Sequence, residues 1–268
     1  MALSAQRKLR RLPFLAGKRR TTLPLQGDVR GPTPARAHPA EMTLDYAWLH
    51  GTVRERFESD AAMEAFLPTA LTPDELQKKG NDRYLSAMTQ RVFQAGMRHA
   101  MVDAKWPAFE EVFERFDPAT MTRLGPKQIE DCMTDPRIIR DRAKLQTIPK
   151  NARFIVDVAA EHDGSFGAFI AEWPCSDIIG LWALLARRGA RLGGRSAAGF
   201  LRLVGKDSFL LTSDVVARLK AAEVIDREPS GQRDLQAVQA AFNALQQASG
   251  RPLCQLSAML SLSINPIF

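Results

Sequence analysis

An all-α protein is the fold class this sequence predicts, and three observations predict it. From Leu44 onward apolar residues recur at helical spacing nearly throughout, and no stretch keeps the period-two alternation of a half-buried strand. The breaks between periodic segments fall at Pro, Gly and capping residues. With 268 residues, 45% of them apolar, the chain can bury one sizeable core or two small ones. The expected division is a basic, disordered tail over residues 1–41 and one helical domain over 42–268.

The tail reading rests on composition. Residues 1–41 combine the basic clusters Arg7-Lys8, Arg10-Arg11 and Lys18-Arg19-Arg20 with Pro24, Pro32, Pro34, Pro39, Gly27 and Gly31. Such a segment has too little apolar surface to offset its ordering entropy. Met42, just before the helical pattern, is a second candidate start, and both readings stay open.

The helical elements follow in order. "DRYLSAMTQRVFQAGMRHAMVDAKW" carries an apolar stripe through Leu85, Met88, Val92, Phe93, Ala95, Gly96, Ala100 and Met101. "WPAFEEVFERFDP" reads as a helix opened by Pro107 in its first turn and stopped before Pro118. Shorter helical pieces are expected at 126–133 and 136–148, with Pro149 ending or kinking the second before "KNARFIVDVAAEH" resumes. "GSFGAFIAEWP" and "SDIIGLWALLARRG" are two more helices, the latter begun by Ser176-Asp177 as a cap. Two helices within 230–264 close the chain, the first ending at Gly250, and are expected to pack on the body and complete its core.

Charge narrows the partners. Of 37 basic and 30 acidic residues, nine and two fall in residues 1–41, so the remainder balances at 28 of each. The net +7 therefore belongs to the tail. Within the neutral body, Ile178 to Lys206 holds Arg187, Arg188, Arg191, Arg195, Arg202 and Lys206 with no acid, which suits either a phosphate contact or a solvated helix face. No apolar run approaches the length of a membrane span and no secretion signal is recognisable. Cys132, Cys175 and Cys254 lie too far apart in sequence for a CxxC pair or a disulfide framework, which fits a reducing cytoplasm.

The basic stretch breaks at Gly193-Gly194 between two helical segments, a hairpin spanning about 187–206. A helix N-terminus offers unpaired amides and the positive end of its dipole, and adjacent glycines let an anion approach closely. Arg191, Leu192, Gly193, Gly194, Arg195 and Ser196 are accordingly the candidate phosphate-binding residues. Twenty residues on, "VGKDSFLLTSDVVARL" places Asp214 at the start of another helix. A fixed carboxylate can stabilise positive charge developing on a sugar and orient or deprotonate an attacking water. Asp214 equally suits a first-turn acid complementing the dipole of a helix capped by Thr212 or Ser213. Ser213 and Asp207 are the reserve candidates for the same catalytic position.

The Gly-containing turn between helices resembles the helix-hairpin-helix element of DNA glycosylases. More specifically, "FQAGM", "FDPATM", "IIRDRAKLQTIPKNARF", "GSFGAFI" and "LLARRGARLGG" resemble the DNA-3-methyladenine glycosylase I family in order and spacing, over Asp82 to Leu219. The resemblance implies a helix-hairpin-helix DNA glycosylase-like helical bundle that hydrolyses the N-glycosidic bond of an alkylated base in duplex DNA. It implies a base pocket containing Arg91, Gln94, His99 and Trp106. Arg91 stands where the family has a base-reading glutamate, and His99 where it has a stacking aromatic ring; an arginine cannot accept a hydrogen bond from an adenine amino group. The family's terminal Cys/His zinc site has no counterpart, so neither metal nor cofactor is expected. No lysine sits in the hairpin's turn as a Schiff-base nucleophile, and Lys206 is nearby but on the wrong side of that turn, which favours simple hydrolysis. A monomer acting on duplex DNA in the cytoplasm, associated with the nucleoid, is the expected setting. Two alternatives remain: a glycosylase for a different damaged base, and a non-catalytic helix-hairpin-helix DNA-binding protein.

Overall fold

The computed structural model describes residues 44–264; the tail expected over residues 1–41 lies outside them. The described residues form helices and short turns, with no strand among them. The order is α1 (Tyr46–Arg54), α2 (Asp60–Phe66), α3 (Pro73–Gln77), α4 (Asn81–Gln94), α5 (His99–Val112), α6 (Pro118–Met121), α7 (Pro126–Thr134) and α8 (Arg142–Leu145). There follow α9 (Thr147–Ala160), α10 (Phe166–Glu172), α11 (Ile178–Arg188), α12 (Arg195–Val204), α13 (Ser213–Ala221), α14 (Gln232–Ser249) and α15 (Leu253–Leu262). No single described helix is long and apolar enough to cross a membrane.

α4 is the central helix, in contact with α5, α9, α10 and α12. Its stripe buries Tyr84, Leu85, Met88, Val92 and Phe93, and α9 answers with Ile148, Ala152, Ile155 and Val158. At the other end Phe209, Trp182 on α11 and Phe242 on α14 form an aromatic cluster, Trp182 edge-on to Phe209 with centroids 4.9 Å apart and Phe242 stacked on Phe209 at 4.2 Å. α15 is buried over Leu253, Leu256, Met259 and Leu260 and packs on α1, α13 and α14. α14 and α15 lie within the expected 230–264, and Gly250 takes the left-handed conformation after α14 (φ 68°).

Several local expectations are corrected. The apolar stripe of 82–106 is not one helix: α4 stops at Gln94, Gly96 adopts φ +74°, and α5 starts at His99. The Lys144 ammonium, from a segment some 50 residues away, donates to the carbonyls of Phe93 (3.1 Å) and Ala95 (2.8 Å), satisfying acceptors that end a helix. Because α5 begins there, Pro107 lies inside it rather than in a first turn. α5 gives way to a turn in which Glu114, Arg115 and Phe116 all have positive φ (46°, 57° and 62°). Each non-glycine residue there costs about 1–2 kcal/mol. What offsets it is Phe116, fully buried and stacked on Trp106 and Phe113 (5.6 and 5.5 Å), together with the Arg83 guanidinium donating to the Arg115 carbonyl at 2.6 Å. Residues 136–141 are not helical; Arg137 donates to Asp135 and the helix restarts at Arg142 under an Asp141 cap. Pro149 falls in the first turn of α9, where a missing N–H leaves no intrahelical bond unmade, so it neither ends nor kinks a helix. The expected Ser176-Asp177 cap of α11 is supplied by Asp177, which accepts from the Gly180 amide at 3.2 Å.

Candidate DNA-facing hairpin and carboxylate site

α11, the loop 189–194 and α12 form the hairpin. The Gly189 amide closes α11 on Leu185 O (2.8 Å), and the Ala190 amide donates to Asn151 Oδ1 (2.7 Å) while Asn151 Nδ2 donates back to Ala190 O (3.3 Å). Both polar faces of one loop residue are thus clamped to α9. Arg191 (φ 58°) and Gly194 (φ 55°, ψ −132°) then turn the chain into α12, and Ser196 N donates to Gly193 O (3.1 Å). A Cβ at Gly194 would meet nothing within 4 Å, so its outer side is open. The amides of Gly193, Gly194 and Arg195 have no hydrogen-bond partner among the described residues. Together with the α12 dipole they make a local site suited to an anion.

Not every basic residue of the stretch serves it. Arg187, Arg188, Arg191 and Arg195 are exposed around the turn. Arg202 and Lys206 turn inward, which corrects the six-residue patch to four. Arg202 Nη1 donates to Ser208 O (3.3 Å), and Lys206, 4% exposed, donates through Nζ to Ala171 O (3.3 Å) and Trp173 O (2.5 Å) at the end of α10. Burial pulls both cations below their usual pKa. Leu192 is likewise corrected: its side chain is wholly buried and packs against Gly189, leaving only its backbone for a phosphate.

The four pocket candidates divide. Arg91, on the last turn of α4, reaches across to α12: its Nη2 is 3.4 Å from Arg195 O and its Nη1 3.5 Å from His99 Nε2. The space it crosses exists because residue 199 is glycine; a Cβ there would lie 2.3 Å from Arg91 Nε and 2.8 Å from Cδ. His99 is exposed at the start of α5. Burial pulls the Arg91 guanidinium below the usual arginine range, and its Nε is buried without a partner. Gln94 is 3% exposed and donates to Asp103 Oδ1 (2.9 Å), which also accepts from Gln90 (2.9 Å). Trp106 is engaged in the core: Nε1 donates to Ser86 Oγ (3.1 Å) and the ring stacks on Phe109 at 4.9 Å. Arg91 and His99 are therefore brought to the hairpin, whereas Gln94 and Trp106 are occupied by packing.

The acids of segment 207–214 belong to a second group, built on α15. Asp207 Oδ2 and Oδ1 accept from the amides of Leu253 (3.0 Å) and Cys254 (2.8 Å), capping that helix and removing Asp207 as a free reserve. Asp214 lies in the first turn of α13, partly exposed, with Oδ2 accepting from Ser261 Oγ of α15 (3.2 Å). Thr212 is the N-cap, accepting from Val215 N (3.3 Å), and Ser213 is exposed beside it. Asp214 is thus relieved of the capping duty and held by a hydroxyl.

Sequence reasoning missed Lys144 and Asn151, which close the end of α4 and clamp the hairpin. The signal was present: Lys144, Thr147 and Asn151 recur at i, i+3 and i+7 among buried Leu145, Ile148 and Ala152. Polar residues on an inward stripe need dedicated partners. Among the described residues no three His, Cys, Asp or Glu side chains group to hold a metal ion. A recess of about 550 Å³ beside α13 and α14, lined by Lys220, Val224, Arg227 and Asp234 among others, involves none of the candidates.

These features define an all-helical protein whose basic hairpin presents open amides, with a positioned carboxylate on a following helix. Residues 76–179 match the family model described as methyladenine glycosylase. A DNA-3-methyladenine glycosylase of Haemophilus influenzae is 38% identical over 60 residues, 22% of this chain and 32% of the relative. The match thus spans about a third of that relative's length. Among solved structures, 3-methyladenine DNA glycosylase I of Staphylococcus aureus is similar at 22% identity, covering 47% of this chain and 76% of that one (TM-score 0.41). An 8-oxoguanine glycosylase/lyase of Methanocaldococcus jannaschii is similar at 13% identity, covering 80% and 96% (TM-score 0.43). The likeness to methyladenine glycosylases thus lies in residues 76–179, less than half of the chain. The matched segment includes Arg91, Lys144 and Asn151 and ends at Ile179, before the hairpin loop and both aspartates.

Proposed function

We propose that this chain is a monofunctional DNA glycosylase of base-excision repair, acting as a cytoplasmic monomer on an alkylated base in duplex DNA. The observation that carries the reading is the hairpin: open amides at Gly193–Arg195, with Arg187, Arg188, Arg191 and Arg195 around them, in a chain related to methyladenine glycosylases. In this mechanism the amides and arginines hold a backbone phosphate while the damaged nucleotide leaves the stack. Cleavage of the C1′–N bond sends its electron pair to the base and leaves positive charge on the sugar. Asp214 stabilises that charge and accepts the proton of the water that attacks C1′. A base alkylated to a cation departs without strong general-acid help. Lys206 supports hydrolysis over strand cleavage, because its ammonium is committed to two carbonyls.

The test incubates the protein with heavily methylated duplex DNA and identifies freed bases by mass spectrometry. Release of a methylated base is expected, falling by about 10²–10⁴-fold in Asp214→Asn with little change in DNA affinity. One observation favours a second reading, DNA binding without catalysis: Arg91 fills the space beside the hairpin with a donor-only group. Binding with no base released at high protein concentration would select it.

A further inference from the structure

The guanidinium of Arg91 is under-used. It carries five N–H donors. Its two polar contacts are long, 3.4 Å to Arg195 O and 3.5 Å to His99 Nε2, and its Nε has none. No ion pair joins it to a carboxylate among the described residues; Asp103, on α5, accepts from Gln90 and Gln94. A half-buried cation in this condition carries a desolvation cost that an incoming acceptor would relieve. Its location is specific: between the end of α4, the start of α5 and the first residue of the hairpin's second helix, in space that Gly199 keeps clear. On the glycosylase reading, this is where an everted nucleotide held by the hairpin would bring its base.

We infer that Arg91 is the specificity-determining residue of that site and selects a base presenting two adjacent acceptors, the O6/N7 edge of a guanine-type lesion. The planar fork matches O6 and N7 with two parallel hydrogen bonds. An adenine-type base offers N7 beside an amino donor, so one of the two bonds is replaced by a donor facing a donor. The preferred lesion is therefore alkylated elsewhere than O6 or N7, as in 3-methylguanine. This inference rests on the glycosylase reading for the base being everted, and its test does not need turnover.

The Arg91 Nε–Hε resonance of the full-length protein, assigned by its loss in Arg91→Lys, is followed by ¹⁵N NMR. Free 3-methylguanine and 3-methyladenine are titrated separately. Shift and saturation are expected at several-fold lower concentration for 3-methylguanine, with the preference lost in Arg91→Lys and in Arg91→Gln. Equal response to both bases, or none to either, overturns the assignment. A second arm measures binding of undamaged duplex to Arg91→Gln across salt concentrations. An unchanged slope is expected; a slope smaller by about one would make Arg91 a phosphate contact and overturn base reading. Failure of the glycosylase reading shows separately, as absence of base release from methylated DNA.

Discussion

At the scale of single residues, Gly199 and Asp207 show how much a position owes to what faces it. Gly199 lies inside α12, where alanine would favour the helix by about 1 kcal/mol. Its missing Cβ is the space through which Arg91 passes, and the obstructed atoms belong to a flexible side chain that can retreat. Gly199→Ala should therefore change stability by no more than about 1 kcal/mol in denaturant titration, while reproducing the binding behaviour of Arg91→Gln. Asp207 makes the opposite case. Removing its carboxylate strips two amide bonds from the start of α15, and Asp207→Ala should cost about 1–2 kcal/mol by the same titration. Neither role could be read locally. Asp207 and its partners are 46 and 47 residues apart, and nothing near Gly199 announces an arginine arriving from α4. Asp214 at a helix start was legible, because Thr212 and the following apolar pattern are adjacent to it.

Among the elements, the hairpin is the one most fully written in local sequence: a capped helix, two glycines, then a second helix. Its support was less visible, since Asn151 lies 39 residues from Ala190. Asn151→Ala removes both polar partners of that residue and should lower stability by about 1–3 kcal/mol, with weaker binding to duplex DNA. The basic residues divide by direction in a way that charge counting cannot resolve. Arg191→Ala and Arg195→Ala should each reduce the salt slope of DNA binding by about one, measured by titration from low to physiological salt. Arg202→Ala should leave that slope unchanged and lower stability, because its guanidinium serves Ser208 O. The break between α4 and α5 was hidden for a related reason. A helical stripe continues in sequence through Gly96, and the Lys144 ammonium that takes the carbonyls at the end of α4 comes from elsewhere.

For the molecule as a whole, the two ends of the described chain close on each other. Arg251 donates to the Tyr46 hydroxyl at 2.6 Å and ion-pairs with Glu64, and Arg218 lies over the Trp48 ring at 4.6 Å while donating to Ser263. Phe242, wholly buried against Phe209, joins α14 to the same core, and Phe242→Ala should cost about 3–5 kcal/mol in thermal or denaturant unfolding. All-helical organisation was legible because period and punctuation are local, whereas the closure of the ends depends on one ion pair, a cation–π contact and hydrogen bonds between residues far apart in sequence.

The hydroxyl of Ser261 touching Asp214, and the backbone amides of α15 gripping Asp207, make the last helix a tuning peg for the segment on which the chemistry is proposed to depend. Damage to it, such as a proteolytic nick after Gly250, would loosen the acid while leaving the hairpin, which is built on α9, α11 and α12, in place. On the proposed reading, a chain nicked there would keep its affinity for a damaged duplex and lose turnover.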